Sequence, residues 1–239
     1  MRCLIVIPAR MGSTRFPGKP LVQIAGKPMV QWVYERAVAS DVADQVVIAT
    51  PDPEIIDACA EFGAWAEHTS DTHVSGTDRV AEVATRIEAE YYLNVQGDEP
   101  LVSPLSIRAC AEALFDDPQA MVGSVMTPCS DEEAQHTSVV KVACDLKHYA
   151  LYFSRSEIPY PRNPRMAPLY KHVGLYCYGR EAVRQFSTWS ATPLELTEGL
   201  EQLRFLEHGY RIKMALGESS GPAVDEPGHV EAVLRAMQA

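Results

Sequence analysis

Two patterns of apolar residues alternate along the first half of the chain. Leu4 to Ile7 is a short β-branched run closed by Pro8, the pattern of a strand buried on both faces. After a polar, Gly- and Pro-containing stretch, Pro28 can open a helix in which Met29, Trp32, Val33 and Arg36 keep helical spacing as far as Ser40. The same reading predicts a strand over Val46 to Ala49, helices over Pro53 to Phe62 and Thr77 to Glu88, a buried strand over Tyr92 to Val95, and a helix over Pro104 to Phe115. Strands alternating with helices imply parallel βαβ units and an α/β, doubly wound, mostly parallel sheet.

The rhythm then changes. Val139 to Cys144 and Tyr149 to Ser154 are β-rich runs joined by Asp145-Leu146-Lys147-His148, which predicts an antiparallel hairpin. Ile158 to Pro168 reads as a Pro- and Arg-rich loop. A strand near Val173 to Tyr178, one long helix near Pro193 to His208, a strand near Arg211 to Leu216 and a last helix after Pro227 complete the pattern. At 239 residues, with no internal repeat or low-complexity linker, we expect one domain with a small elaboration over about 139–178.

Composition narrows the partners. Hydrophobic residues at 46% and charged residues at 22% are ordinary for a globular domain and exclude a disordered or fibrous chain. The net charge of −11 repels nucleic acid and anionic lipid unless positive charge is concentrated locally. It is concentrated between Met1 and Tyr34, which hold Arg2, Arg10, Arg15, Lys19 and Lys27 and neither Asp nor Glu. A small polyanion suits such a patch. The six cysteines show no CxxC or zinc spacing and are expected to be free thiols, while Arg10 cuts short the first apolar run and no stretch approaches a membrane span. The expectation is a soluble cytoplasmic protein, bound neither to nucleic acid nor to membrane.

The loop after the first predicted strand reads Pro8-Ala9-Arg10-Met11-Gly12-Ser13-Thr14-Arg15-Phe16-Pro17-Gly18-Lys19-Pro20. Small residues let backbone N–H groups approach phosphate and three cations neutralise it, so the loop reads as a triphosphate cradle. It departs from a Walker loop, because five residues separate Gly12 from Gly18 and Pro20 stands where a Ser or Thr should hold magnesium. Asp98 follows the strand Tyr92 to Val95, and loops past the carboxyl ends of strands are where open α/β sheets bind ligands. A carboxylate facing a triphosphate there invites Mg2+. Ser75 or Thr77 is the candidate N-cap of the helix that follows, with Arg79 near enough in sequence to read a pyrimidine edge. Arg155, His172, Glu201 and Gln202 are unremarkable taken singly, and Asp225 reads most simply as the N-cap of the last helix. No nucleophilic triad, HExxH or GxSxG is present. A glycosyltransferase usually presents Asp-x-Asp, which this chain lacks, and a catalytically silent nucleotide sensor would have little use for Arg15, Lys19, Asp98 and Asp225 together.

Taken in order, IPARMGSTRFPGKPL (7–21), HVSGTDR (73–79), NVQGDEPL (94–101), ALYFSR (150–155), KHVGLY (171–176), PLELTEGLEQLR (193–204) and VDEP (224–227) resemble the cytidylyltransferases that activate 3-deoxy-manno-octulosonate (Kdo). The resemblance spans essentially the whole chain. It implies a doubly wound nucleotidyltransferase core, a homodimer formed through the hairpin elaboration, and formation of CMP-Kdo and pyrophosphate from CTP and the 3-deoxy sugar acid. It assigns CTP to Pro8, Ala9, Arg10, Ser13, Arg15, Lys19, Ser75, Gly76 and Arg79, and the sugar acid to Gln96, Arg155, His172, Tyr176, Glu201 and Gln202. It makes Asp98 and Asp225 the ligands of Mg2+ and, with Arg15 and Lys19, the catalytic set. Two departures stand out: Asp225-Glu226-Pro227-Gly228-His229 replaces the family's Asp-Thr-Pro-Glu-Asp, and the loop before Lys171 is shorter, which leaves an amino-substituted Kdo open as an alternative substrate.

Overall fold

The computed structural model describes residues 1–13, 15–73 and 75–238; Thr14 and Val74, each inside a quoted motif, and Ala239 lie outside the described residues. In chain order the elements are β1 (Cys3–Pro8), β2 (Gln23–Ile24), β3 (Lys27–Pro28), α1 (Met29–Ala39), β4 (Gln45–Thr50), α2 (Pro53–Glu61), β5 (Trp65–His68), α3 (Gly76–Arg86), β6 (Tyr91–Val95) and α4 (Pro104–Phe115). They continue with β7 (Val122–Pro128), α5 (Asp131–Ala134), β8 (Lys141–Cys144), β9 (Ala150–Ser154), β10 (Tyr170–Gly179), α6 (Arg180–Phe186), α7 (Pro193–Glu198), α8 (Gln202–Glu207), β11 (Ile212–Leu216) and α9 (His229–Ala236).

The main sheet runs β11-β7-β10-β6-β1-β4-β5, with β8 and β9 attached as a hairpin through β10. The pairs β11/β7, β6/β1, β1/β4 and β4/β5 are parallel, whereas β10 runs antiparallel to both β6 and β7. The sheet is therefore mostly parallel but mixed, and the expected regular alternation is interrupted at its centre. The period-2 alternation of β1 sorts its residues between two cores. Cys3, Ile5 and Ile7 pack with α1, α2 and α4, while Leu4 and Val6 pack with α3, α6 and α8. A third, smaller cluster joins Ile24 and Met29 to Val224 and Val233, which seats α9 beside β2.

Four strands, β2, β3, β5 and β7, and two short helices, α5 and α6, are additions to the elements expected from sequence. The long helix expected over Pro193 to His208 is instead α7 and α8, because Gly199 takes a left-handed φ of 64° that ends the first helix. The other expected helices keep their places: α4 has Pro104 at its first turn and Ser103 as its cap, and α3 starts at a capping box of Ser75 and Asp78. The six cysteines are free thiols, four of them buried. No helix among the described residues is long and apolar enough to cross a membrane.

Candidate active site

Strand order reverses at β1, with β4 on one side and β6 on the other, so the loops leaving β1 and β6 flank the crevice where such sheets bind ligands. The first loop is closed on itself by the Gly18 N–H donating to the Met11 carbonyl at 3.0 Å, and Gly18 adopts a left-handed φ of 74°. Asp52 holds its near end, accepting the Met11 N–H at 2.7 Å. The loop carries no acid of its own, and carboxylates from distant segments answer its cations: Lys19 Nζ lies 2.8 Å from Asp98 Oδ2 and 3.8 Å from Asp225 Oδ1, and Arg15 Nη2 lies 2.9 Å from Asp225 Oδ1.

Backbone contacts fix that meeting point. The Val224 N–H donates to the Asp98 carbonyl at 2.9 Å, so the C-terminal segment is bonded directly to the turn after β6. The N-cap of α9 is Gly228, and the expected capping role of Asp225 is replaced by its ion pairs with the loop. At Gly97 the turn after β6 runs so near β1 that a Cβ would stand 2.6 Å from the Pro8 carbonyl oxygen, so only glycine fits.

A cavity of about 310 Å³ opens at this point. Of the residues expected at CTP, metal and sugar acid, it is lined by Pro8, Ala9, Arg10, Ser13, Arg15, Lys19, Ser75, Gly76, Arg79, Gln96, Asp98 and Asp225. Pro20, His73 and Gly97 also line it and were not among the residues assigned to a ligand from sequence. Ser75, rather than Thr77, is the N-cap of α3, accepting the Asp78 N–H at 3.2 Å. Arg79 is buried, donating to the Ser70 carbonyl at 2.9 Å and to Thr69; burial, reinforced by Arg10, lowers its pKa. Burial and the neighbouring Asp98 push the Glu99 carboxyl up to about 7.

The donor set at the crevice suits magnesium. Two carboxylates, Asp98 and Asp225, come from loops bonded to each other, and no group of three or more His, Cys, Asp or Glu gathers among the described residues. Magnesium takes one or two protein carboxylates and completes its shell with phosphate oxygens and water.

The remaining sugar-acid candidates lie outside the cavity lining, directly after β9 (Arg155), on β10 (His172 and Tyr176) and at the start of α8 (Glu201 and Gln202). Tyr176 donates its hydroxyl to Gln202 Oε1 at 3.2 Å, and Gln202 Nε2 is buried without a partner among the described residues. Glu201 Oε2 accepts from Thr77 Oγ1 at 2.8 Å, and burial raises its pKa. His172 Nε2 lies 2.9 Å from Ser124 Oγ. Arg155 spends three guanidinium contacts on backbone carbonyls, those of Glu198 at 2.8 Å, Thr137 at 3.0 Å and Gly199 at 3.4 Å. Sequence reasoning also passed over Asn94, which is fully buried at the end of β6 with Nδ2 unpartnered and would lie 3.7 Å from a Cβ on Gly76. Its signal was a polar residue inside an otherwise apolar strand.

Residues 4–212 match the family model described as cytidylyltransferase. The chain belongs to the cytidylyltransferase family. An Escherichia coli relative named 3-deoxy-manno-octulosonate cytidylyltransferase is 44% identical over 238 residues, covering 100% of this chain and 96% of the relative. A solved structure of CMP:2-keto-3-deoxy-manno-octonic acid synthetase complexed with CTP superposes with a TM-score of 0.96 at 43% identity, covering 100% of this chain and 99% of that one. The fold is shared more widely: 4-diphosphocytidyl-2C-methyl-D-erythritol synthase from Anaerococcus prevotii gives a TM-score of 0.67 at 11% identity, covering 100% and 99% of the two chains.

Proposed function

We propose that this cytidylyltransferase transfers the cytidylyl group of CTP to the anomeric hydroxyl of Kdo, releasing pyrophosphate and giving CMP-Kdo for lipopolysaccharide synthesis. The observation that carries the reading is the convergence of Lys19, Asp98 and Asp225 at the mouth of a small-residue loop, in a chain with full-length similarity to an enzyme of that name. Pro8, Ala9, Arg10 and Ser13 form the phosphate cradle, and Ser75, Gly76 and Arg79 lie where the base would sit. Arg15 and Lys19 stabilise the charge that grows on the departing pyrophosphate. Asp98 and Asp225 would hold Mg2+, which when bound polarises the α-phosphate and lowers the pKa of the attacking hydroxyl. Gln96, His172, Tyr176, Glu201 and Gln202 orient the sugar acid, and Arg155 grips its carboxylate. The protein's work is positioning and charge neutralisation, without a covalent enzyme intermediate.

A homodimer in the cytoplasm completes the proposal, with the chain a single catalytic domain. Leu146 between the hairpin strands, Leu151 on β9 and Leu196 on α7 are exposed, apolar surface of the kind a second copy covers. The test is pyrophosphate release with magnesium, pairing CTP, UTP, ATP or GTP with Kdo, its 8-amino analogue or sialic acid. Release with CTP and Kdo is the expected result. Release only with another sugar acid would move the activity to that substrate, and no release from any pair would overturn the reading.

A further inference from the structure

Ser124 lies fully buried in β7, opposite the irregularity where β10 shifts register between Val173 and Tyr176. Its Oγ makes two contacts, 2.8 Å to the Leu175 carbonyl oxygen and 2.9 Å to His172 Nε2. A serine hydroxyl has one proton, and a carbonyl oxygen can only accept. The proton therefore goes to Leu175, and what Ser124 presents to His172 is a lone pair. Nε2 must then carry the imidazole proton, which leaves Nδ1 of the neutral ring as an acceptor. No donor among the described residues reaches that nitrogen.

The ring has little freedom to turn. Phe153 meets it edge-on with centroids 5.1 Å apart at 76°, and Tyr176 packs on it at 5.2 Å and 49°. Tyr176 is itself held by Gln202. Burial pushes the His172 pKa down to about 3, which keeps the ring neutral near pH 7.

We infer that Ser124 is a positioning residue of the sugar-acid site: by accepting from His172 Nε2–H it fixes one tautomer and aims Nδ1 as an acceptor for a substrate hydroxyl. The sugar-acid half of this statement rests on the function proposed above; the tautomer does not. A ring so fixed favours a hydroxyl that donates and rejects a deoxy or ether group at the same place.

The experiment pairs spectroscopy with kinetics. Long-range 1H–15N correlation on protein labelled with 15N-histidine, the His172 signals assigned by their loss in His172→Gln, is expected to show an unprotonated Nδ1 and a protonated Nε2. In Ser124→Ala the two nitrogen shifts should move toward each other as tautomers mix, and Ser124→Thr, which keeps the hydroxyl, should restore the pattern. Ser124→Ala should also lower kcat/KM for Kdo about tenfold, with the KM for CTP changed less than about twofold. A protonated Nδ1 in the wild type, or an unchanged tautomer in folded Ser124→Ala, would overturn the inference. The wild-type spectrum decides the tautomer even where Ser124→Ala does not fold. Wild-type protein that turns over no Kdo would sink the functional reading and leave the spectrum to judge Ser124.

Discussion

Lys19 Nζ and Asp98 Oδ2, 79 residues apart in sequence, stand 2.8 Å apart at the end of the crevice, with Asp225 3.8 Å from the same ammonium. A carboxylate so placed can serve the nucleotide's metal only if the cation beside it turns to phosphate. On the proposed reading the two residues would exchange one partner for others on binding CTP rather than act as a permanent structural pair. Asp98→Asn should lower turnover by at least about 10²–10³-fold. The partly exposed pair contributes only about 0–1 kcal/mol to stability, so the melting temperature should barely move. Turnover within about tenfold of wild type would remove Asp98 from the catalytic set.

Gly97 makes the same geometry vulnerable from the backbone side. A Cβ at this position meets the Pro8 carbonyl oxygen at 2.6 Å, and neither partner is a flexible side chain. Gly97→Ala should cost roughly 1–3 kcal/mol in urea unfolding, because the loops leaving β1 and β6 must part. It should lower kcat/KM as well, since the same displacement carries Asp98 away from Lys19. Gly12→Ala is the control for stability: no atom of the described residues lies within 4 Å of a Cβ there, and a change below about 0.5 kcal/mol is expected. Equal losses in the two variants would show that the close approach at Gly97 is not what the substitution disturbs.

The basic loop and the turn at Asp98 were legible in the sequence because both follow short, mostly apolar runs that read as buried strands, Leu4 to Ile7 and Tyr92 to Val95. Asp225 was not. Its local context, four residues ahead of a helix that begins at His229, reads as a cap, and its partner Arg15 lies 210 residues away. Strand β7 was missed for a related reason: Gly123, Ser124 and Thr127 break its apolar run, yet all are enclosed, Gly123 so closely that a Cβ would stand 2.6 Å from the Cys110 carbonyl oxygen. Strand β5 has only four residues, Trp-Ala-Glu-His, at the sheet edge. In the segment expected as one helix, Gly199 was visible, but a glycine inside a helical pattern does not reveal that φ turns positive. Gln202 and His172 lacked any local signal, because their chemistry depends on neighbours from other elements.

Arg155 binds three carbonyls that span the end of α7, the Gly199 turn and the loop after α5. Two of its five N–H donors are left over, enough for a carboxylate without releasing the turn. Arg155→Ala should raise the KM for Kdo about tenfold or more and that for CTP much less. Arg155→Lys should not restore it, since an ammonium cannot reach carbonyls and carboxylate in the planar arrangement a guanidinium provides. Equal changes in both KM values would assign Arg155 to the α7–α8 turn alone.

The ring of His172, packed between Phe153 and Tyr176, gives a pH dependence with a definite sign. Its pKa falls from the ordinary 6.5 to about 3 through burial. Below the ordinary value the unfolded chain takes up a proton that the folded ring refuses, so the unfolded state binds more protons and stability falls as pH drops. The contribution is fully present above pH 6.5 and is lost progressively toward about 3, with a slope of up to about 1.4 kcal/mol per pH unit. Glutamine in the same place has no proton to gain. Urea unfolding of wild type and His172→Gln at about pH 7, 6 and 5 should therefore show the wild type losing stability faster as the solution is acidified. Parallel curves would mean that the folded ring takes its proton as readily as the free side chain, and that its packing against Phe153, Tyr176 and Ser124 does not disfavour the charged form.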